Sequence, residues 1–278
     1  MRKIKIVSDS SSDLLMLDSI EFANSPMKII TAEREFVDDK DLNIDEMVEF
    51  FDNYKERSQS SCPNPADWLE AFGDADDVFC VTITSGLSGS YNSACTAKKL
   101  FEAENEGKRV FVLDTLSAGP EVTLAVRKLE ELVKANLTFE EICEKIQEYN
   151  KNTGLVFMLK SLKNFAANGR VSPLVAKIVG LAGICIVGKA SDQGTLEPSH
   201  KCRGENKSLD TILADLEKYG LKTGKVSIGH CQNESAAKHL MAMIKLKFEE
   251  VQVEIHKLRG LCSFYAEKGG LLVGFEKN

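Results

Sequence analysis

The stretch "VTITSGLSGSYNSACTAKKLF", from Val81 to Phe101, connects a buried strand to a long helix through a loop of glycines and hydroxyls. The apolar run ends at Ile83, and the residues from Gly89 to Glu104 carry a helical pattern. In parallel α/β sheets, ligands collect beyond the carboxyl ends of strands, where loops meet helix N-termini. The stretch therefore indicates an α/β fold and makes Ser88–Ser90 a candidate binding loop.

Short apolar runs and helical patterns alternate along the rest of the 278-residue chain, which favours parallel sheets with right-handed crossovers. Strands are predicted at Ile4–Val7, Met27–Ile30, Val78–Ile83, Val110–Leu113, Leu155–Phe157, Ile184–Val187, Leu196–Ser199, Val226–Ile228, Val251–Ile255 and Leu271–Phe275. Helices are predicted at Ile44–Arg57, Pro65–Phe72, Gly89–Glu104, Thr123–Lys134, Phe139–Tyr149, Leu209–Tyr219 and Glu234–Phe248.

The segment "NKNTG", Asn150–Gly154, has the composition of a linker, and a second alternating block begins at Leu155. We therefore expect two α/β domains with largely parallel sheets, residues 1–152 and residues 153–278.

Composition excludes several classes of protein. Lys and Arg number 35 and Asp and Glu number 42, so the net charge is −7, and nucleic acid is not an expected partner. No apolar run approaches the ~20 residues of a membrane span, and "MRKIKIVSD" turns polar too soon for a secretory signal, so we expect a cytoplasmic protein. The eight cysteines form no CxxC or CxH pair, which predicts reduced thiols and no metal site. No cofactor is expected.

Three junctions combine hydroxyls with a helix start: Asp9–Ser12, Ser58–Trp68 and Ser85–Ser90. Exposed N–H groups and the helix dipole favour an anionic group at such places. Ser, Asp and Asn are also ordinary N-cap residues, so each junction has a structural interpretation beside the functional one.

Two catalytic patterns are incomplete. The run Gly86–Ser90 differs from the hydrolase elbow G-x-S-x-G at its last position, and a nucleophilic Ser88 would need a base, for which only His230 follows a strand suitably. A serine hydrolase acting on acyl esters through Ser88 is thus an alternative.

No phosphate-binding P-loop is present in the sequence. Arg170, in the turn "NGRVS", is either solvated or meets a phosphate or a partner's acidic group.

Six motifs in order resemble the DegV family over essentially the whole chain. They are "IVSDSSSDL" (Ile6–Leu14), "SPMKI" (Ser25–Ile29), "SSCPNPADW" (Ser60–Trp68), "ITSGLSGSYNSA" (Ile83–Ala94), "VFVLDTLSAGP" (Val110–Pro120) and "LKSLKNFAANGRVS" (Leu159–Ser172). The resemblance implies a non-enzymatic protein that holds one long-chain fatty acid between two domains. It also implies presentation of the carboxylate to a separate fatty acid kinase subunit.

The resemblance also implies site residues. Ser88 and Gly89 belong to a motif like L-S-G-T-Y, which is Leu87–Tyr91 here and in which the serine donates its hydroxyl to the carboxylate. Ser60 and Ser61 stand in a motif like T-S-Q-P, where Cys62 replaces the amide of Gln.

The resemblance assigns two further positions. Arg170, in a motif like G-G-R-I-S, is implied to engage the kinase. Tyr265 stands where the family usually has His, so it can donate a hydrogen bond but cannot become a cation near neutral pH. Glu267 adds a negative charge to that loop and would oppose a carboxylate if it pointed inward.

The apolar stretch "LVAKIVGLAGICIVG", from Leu174 to Gly188, is the expected lining of an acyl tunnel in the second domain, with Gly180 and Gly183 leaving space. A close-packed helix against a sheet is the alternative for these residues. A third hypothesis for the whole protein is a regulatory module that binds another small anion. Acyl chain length, oligomeric state and acceptance by a kinase do not follow from the sequence.

Overall fold

A computed structural model describes residues 2–171 and 183–278. For residues 2–151, the first half of the chain, the strands are β1 (Ile4–Asp9), β2 (Glu21–Ser25), β3 (Lys28–Ile30), β4 (Glu35–Val37), β5 (Gln59–Ser61), β6 (Asp77–Thr82) and β7 (Arg109–Asp114). A 3₁₀ turn at Ser10–Ser12 follows β1, and the helices are α1 (Ile44–Asn53), α2 (Pro65–Phe72), α3 (Ser90–Glu104), α4 (Pro120–Lys134) and α5 (Phe139–Lys151).

In the second half, residues 153–278, the described strands are β8 (Thr153–Leu159), β9 (Ile184–Ala190), β10 (Leu196–Arg203), β11 (Gly224–His230), β12 (Val251–Lys257) and β13 (Leu271–Glu276). The described helices are α6 (Lys163–Ala167), α7 (Glu205–Lys218), α8 (Glu234–Lys247) and α9 (Gly260–Ala266). No described helix has the length and apolar character needed to cross a bilayer.

Local sequence signals account for two helix starts. The Asn64 side chain accepts from the N–H groups of Ala66 and Asp67, and Pro65 occupies the first helical position of α2, as predicted. Thr138 and Glu141 form the predicted capping box of α5, in which the Glu141 carboxylate accepts from the Thr138 N–H at 2.8 Å.

The first half contains a four-stranded sheet in the order β2-β1-β6-β7, and all three pairings are parallel. Every strand in it therefore ends at the same edge. Helix α3 begins eight residues after β6 ends, so the Ser85–Ser90 loop lies at that carboxyl edge. The parallel sheet predicted for this half is confirmed.

The prediction of a largely parallel sheet in the second half is wrong. Its six described strands have the order β10-β9-β8-β13-β11-β12, and within this sheet only the described pair β11–β12 is parallel. Strands β9 and β10 are joined by the five-residue turn 191–195, which is too short for a crossover helix and forces an antiparallel hairpin. The α/β class is correct.

A small antiparallel sheet in the order β4-β3-β5 completes the first half. Its strand β5 pairs Ser60 with Ile29 and Ser61 with Lys28, so two predicted site residues lie on a strand and not on a loop. The sequence "QSS" of β5 has no apolar alternation, so periodicity could not identify it as a strand.

Helix α4 lies between the two large sheets. It packs on β1 and β6 of the first half and on β8, β11 and β13 of the second, and most of its residues are buried. Helices α7 and α8 contact the six-stranded sheet as well. The proposed boundary at residue 152 falls between α5 and β8, and it stays a prediction.

Candidate functional site

A cavity of about 310 Å³ has walls from both halves of the chain. This volume is at the lower end of the range of small-molecule sites, roughly 300–1,000 Å³. Its described lining residues are Met27, Ser60, Ser61, Cys62, Ile83, Thr84, Leu87, Ser88, Gly89, Ser117, Ala118, Leu155, Phe157, Leu159, Phe165, Arg170, Ala190, Gly194, Thr195, Leu196, Leu261, Cys262, Tyr265, Ala266 and Leu272. Most of these side chains are apolar, so the cavity suits a mainly hydrophobic ligand.

All six site residues taken from the motifs line this cavity, and we call them the polar end: Ser60, Ser61, Ser88, Gly89, Arg170 and Tyr265. Ser60 and Tyr265 are in direct contact, since the two hydroxyl oxygens lie 2.7 Å apart. The Ser60 N–H also donates to Oδ1 of Asn168 at 3.0 Å, which ties β5 to the turn that carries Arg170. Residues far apart in sequence thus form one continuous polar surface.

Ser88 and Gly89 lie at the start of α3. The Ser88 hydroxyl accepts from the Ser90 N–H at 3.2 Å, and its own hydrogen remains available for donation to another acceptor. Gly89 is the N-cap residue and has no side chain to cap the next N–H groups of the first turn. The N-terminus of a 15-residue helix with uncapped N–H groups therefore faces the polar end, which favours a negative charge there.

Arg170 is half-buried beside Tyr265. Its Nε donates to the carbonyl of Leu87 at 3.0 Å, and its Nη1 donates to the carbonyl of Asn168 at 2.9 Å. The guanidinium carbon lies 5.6 Å from the centre of the Tyr265 ring. These contacts fix the guanidinium at the cavity wall, so its positive charge contributes to the polar end.

Burial controls the ionisation of the polar end. It raises the pKa of Tyr265, against the opposing effects of the Ser60 hydroxyl and the Arg170 charge. Burial also raises the pKa of the Cys62 thiol, and the negative charge of Asp9 adds to that increase. Both side chains are therefore neutral hydrogen-bond donors at neutral pH.

The junction Asp9–Ser12 has a structural function. All four residues are buried and none lines the cavity. The Asp9 carboxylate accepts from the Ser90 hydroxyl at 2.6 Å, from the Ile83 N–H at 2.9 Å and from the N–H and hydroxyl of Ser11. Asp9 thus holds the end of β6 and the start of α3 in place behind the polar end, and the hydroxyl of Ser90 is used for this.

Helix α9, which carries Tyr265, is fixed by a buried carboxylate of the first half. Asp38 accepts from the N–H groups of Gly260 at 2.9 Å and Leu261 at 2.8 Å. Burial raises the pKa of Asp38 to about 6, although these two hydrogen bonds oppose the increase. The position of Tyr265 therefore depends on a contact between the halves.

The residues that replace the usual family loop do not add a negative charge to the cavity. Glu267 accepts from the Asn164 N–H at 3.1 Å and is not one of the lining residues. Its carboxylate points into the second half, and burial raises its pKa. The expected opposition between Glu267 and a carboxylate at the polar end does not arise from this geometry.

The described residues provide no histidine base for a nucleophilic Ser88. No histidine is among the described residues that line the cavity. His230, the candidate base, is buried elsewhere, where its Nδ1 accepts from the Asn233 N–H at 3.3 Å. The described part of the chain also holds no group of three or more His, Cys, Asp or Glu side chains suited to a metal ion.

The described part of the expected stretch Leu174–Gly188 does not line the cavity. Residues 172–182, which include Gly180, are outside the described residues. Gly183 is exposed with no atom near the position of a Cβ, and no residue of 184–188 lines the cavity. The described apolar wall comes instead from both halves, chiefly Met27, Ile83, Leu87, Leu155, Phe157, Leu159, Phe165, Leu196, Leu261 and Leu272.

A contact that the sequence analysis missed closes the cavity near Thr84. The β9–β10 turn approaches this loop so closely that a Cβ on Gly194 would lie 1.9 Å from Oγ1 of Thr84. Gly194 also has a φ of +68°, a conformation that other residues rarely adopt. Both the close contact and the positive φ therefore require a glycine in the turn "SDQGT". The sequence itself indicated only that a turn is present.

Comparison with known proteins gives relatives along nearly the whole chain. The model of the DegV family matches residues 3–278. A DegV domain-containing protein of Streptococcus gordonii is 43% identical over 277 residues, which cover 98% of each chain.

Two solved structures are very similar to this one. A DegV family protein from Eubacterium eligens, loaded with heptadecanoic acid, has a TM-score of 0.97 and 40% identity, covering 99% of this chain and 100% of that one. The Fatty Acid Kinase (Fak) B3 protein of Streptococcus pneumoniae, loaded with linoleic acid, has a TM-score of 0.97 and 41% identity with the same coverage. The two halves and their sheets therefore have a fold already seen around a fatty acid.

Proposed function

This chain belongs to the DegV family, and on that premise we propose that it binds one long-chain fatty acid in the cavity between its halves. The carboxylate is held by the hydroxyls of Ser60, Ser61, Ser88 and Tyr265 and by the backbone at Gly89. The acyl chain occupies the apolar part. The protein itself catalyses no reaction and acts as a carrier.

The observation that carries the proposal is the placement of hydroxyls at one end of an otherwise apolar cavity. Ser60, Ser88 and Tyr265 come from three separate parts of the sequence and face the same space. Hydroxyl and backbone N–H donors satisfy a carboxylate by charge-assisted hydrogen bonds. This combination of a few polar groups with a long apolar wall matches an amphiphile and not a small hydrophilic anion.

The acyl chain supplies most of the binding free energy. A tail of about sixteen methylenes contributes on the order of 10 kcal/mol at ~0.8 kcal/mol each, before the cost of immobilising the ligand. The polar end then selects the orientation, because an unpaired buried carboxylate would be costly.

The carboxylate in this arrangement stays close to solvent. Ser61 and Gly89 are exposed and Ser88 is half-buried, whereas Leu159, Cys262 and Ala266 deeper in the cavity are buried. We propose that this opening presents the bound acid to a separate fatty acid kinase subunit. Arg170, at the edge of the opening, is the proposed contact residue for that partner. The Fak B3 relative, described as a fatty acid kinase protein, supports such a partner.

Lipid extraction tests the binding proposal. Protein purified from a bacterial host and denatured in organic solvent should release close to one equivalent of C14–C18 fatty acid, measured by mass spectrometry. Delipidated protein should take up oleate but not propionate, which shares the carboxylate and lacks the tail. Absence of lipid together with no uptake of oleate or palmitate contradicts the proposal, and equal uptake of propionate favours a small-anion module.

The kinase proposal requires a separate test. Transfer of phosphate from ATP to the bound acid is measured with and without a fatty acid kinase subunit from a DegV-containing bacterium. We expect transfer only with the kinase, and loss of at least tenfold in rate for Arg170→Gln compared with the exposed control Arg203→Gln. Acyl phosphate formed by this protein alone would overturn the proposal that it is only a carrier.

A further inference from the structure

We propose that the chain has a second binding site, separate from the cavity, which takes a phosphate monoester of a hydroxylated small molecule such as a sugar phosphate. The site is a surface groove of about 420 Å³, formed by the loop of residues 13–18 together with Arg127, Lys257 and Arg259, and we call it the basic groove. None of its lining residues lines the cavity, so the proposal does not depend on the proposed fatty acid function.

The basic groove collects cations from three elements of the fold. Arg127 is on α4 in the first half, Lys257 ends β12, and Arg259 is the residue before α9. A guanidinium group matches the geometry of phosphate oxygens, and an ammonium group adds a point charge. Three such groups at one opening favour a ligand group with up to two negative charges and several acceptor oxygens. A phosphate monoester near neutral pH has these properties.

The two guanidinium groups have hydrogen-bond donors that are not yet used. Nε of Arg127 lies 3.6 Å from Oε1 of Glu254. Nε of Arg259 lies 3.8 Å from Oδ1 of Asp38, and its Nη2 donates to the carbonyl of Asp39. Both Nε separations are too long for a hydrogen bond, and both Nε atoms are buried without a partner among the described residues. A ligand oxygen that accepts from these donors would therefore be stabilised.

The acidic neighbours of the basic groove narrow the class of ligand. Lys257 pairs with Asp45 at 2.5 Å, but the two side chains are 41% and 61% exposed, so this pair can open to a ligand at little cost. The Asp13 side chain is fully buried, and its Oδ1 accepts from the Arg259 N–H at 2.7 Å, so it belongs to the framework.

Asp18 is the exposed acid that lines the groove, and it forms no ion pair within 4 Å in the part of the chain that the structure describes. Its carboxylate can accept from a ligand hydroxyl and would repel a bare anion. A phosphate that carries neighbouring hydroxyl groups therefore fits the groove better than inorganic phosphate.

Leu15 and Met16 give the basic groove an apolar rim. They are 42% and 72% exposed. Such a rim can pack against the carbon skeleton of a sugar, and it would also suit the head-group region of a phospholipid. A phosphate monoester is the chemistry common to both sources, and the experiment below has one arm for each of them.

Titration calorimetry of the protein as purified tests the soluble ligand. The probes are ribose 5-phosphate, glucose 6-phosphate, ribose and orthophosphate at about 10 mM, where even a Kd of about 1 mM gives a clear signal. Ionic strength is held constant, because exposed charges are screened by salt. We expect a sugar phosphate to bind with 1:1 stoichiometry, ribose to give no signal, and orthophosphate to bind at least fivefold more weakly.

Variants of the groove locate the binding. Arg127→Gln and Lys257→Gln each remove a cation and should weaken sugar phosphate binding at least tenfold. Lys207→Gln, at an exposed position on α7, is the control and should bind like the wild type. Arg127→Lys keeps the charge without the planar fork and should recover part of the loss. Asp18→Ala should reduce the preference for sugar phosphate over orthophosphate to within twofold.

The Tm of each variant without ligand identifies any that fails to fold. Absence of binding by both sugar phosphates overturns the proposal, as does equal binding of ribose, or an affinity that Arg127→Gln and Lys257→Gln leave unchanged. In the second arm, phosphatidylcholine vesicles with and without phosphatidic acid should retain equally little protein. Retention by phosphatidic acid that requires Arg127 and Lys257, without binding of either sugar phosphate, overturns the soluble ligand and assigns the groove to a lipid head group.

Discussion

The hydroxyl of Tyr265 lies 2.7 Å from the hydroxyl of Ser60, although 205 residues separate them in the chain. One of the two residues is on the small sheet of the first half, and the other is on α9 of the second. Their contact joins the halves at the place where we propose that a carboxylate binds. Each hydroxyl therefore orients the other, and neither can be assigned its role from its own sequence neighbourhood.

Removal of the Ser88 hydroxyl should weaken fatty acid binding, and the protein should still fold although the hydrogen bond from the Ser90 N–H is lost. A hydrogen bond to a charged group contributes about 1.5–3 kcal/mol, so Ser88→Ala should raise the Kd for oleate roughly tenfold or more. Titration calorimetry with delipidated protein measures this change. Ser199→Ala, on the exposed face of β10, is the control and should bind like the wild type. Equal affinity for the Ser88 variant would remove this serine from the site.

Tyr265 should make binding nearly independent of pH. Because burial raises its pKa, the phenol stays neutral and oleate affinity should be constant from pH 6 to 9. Tyr265→His introduces a group that becomes cationic below about pH 6.5, so binding by that variant should strengthen as the pH falls through this value. Tyr265→Phe should bind more weakly at every pH, and Tyr219→Phe, remote from the cavity, is its control. A pH-independent histidine variant would contradict a contact between residue 265 and the carboxylate.

Asp38 should make the folded state less stable as the pH rises. Its pKa is about 6 in the folded protein and near 3.8 in the unfolded chain, so between these values the folded state binds more protons. The free energy of unfolding contributed by Asp38 therefore falls from pH 4 to pH 7, by an amount on the order of 3 kcal/mol.

Urea unfolding of wild type and Asp38→Asn at several pH values checks this prediction. The amide introduced by Asp38→Asn cannot accept the hydrogen bond from Leu261 at any pH. The substitution therefore changes the free energy of unfolding by an amount that does not vary with pH. We expect the wild type to lose stability relative to the variant as the pH rises, and the exposed control Asp210→Asn to show no such trend. A difference that is flat or has the opposite slope would falsify the assignment of a raised pKa to Asp38.

A side chain at Gly194 should separate the hairpin turn from the loop at Thr84. The new Cβ would lie 1.9 Å from the Thr84 hydroxyl oxygen, so Gly194→Ala should destabilise the protein and weaken oleate binding. Gly204→Ala is the matched control, because Gly204 also has a positive φ, of +82°, but no atom lies within 4 Å of its Cβ position.

Backbone strain alone should cost the Gly204 variant about 1 kcal/mol and leave oleate affinity unchanged. Urea unfolding and calorimetry measure the two effects. If both variants behaved alike, the close contact with Thr84 would have no part in closing the cavity.

Fatty acid should stabilise the protein because it binds the folded state alone. Oleate at a free concentration of one hundred times its Kd should add about 2.7 kcal/mol to the free energy of unfolding. Differential scanning calorimetry of delipidated and loaded protein detects this as a rise in Tm. The rise should disappear with propionate, and a rise of the same size with propionate would show that the tail contributes nothing.

Sequence periodicity predicted the long elements well and the pairing of strands poorly. Helix α2 has the predicted bounds Pro65–Phe72, because its apolar spacing and its cap agree. The antiparallel order of the second sheet was missed, since alternation of strands and helices does not reveal that β13 is inserted between β8 and β11. Strand pairing depends on hydrogen bonds between segments far apart in the chain, such as β8 and β13, and that is not a local property.

The site, like the fold, was predicted from the sequence only in part. Motifs identified the six residues of the polar end, and the structure brings them to one cavity. In the described part of the expected lining stretch, residues 183–188, apolar composition alone did not tell whether a residue faces a cavity or a packed core. Strand β9 illustrates this, since Cys185 and Val187 are buried in the core of the second half.

The hydrogen bonds from α9 to Asp38 have a consequence for how the protein matures in the cell. Residues 260–266 are synthesised after Asp38 and Ser60, and they supply one wall of the cavity together with the hydroxyl of Tyr265. A nascent chain still attached to the ribosome, with these residues in the exit tunnel, has an open trough and no enclosed pocket. Lipid capture therefore requires that residues 260–266 have left the exit tunnel, and a chain that is truncated before residue 260 lacks the wall that they form.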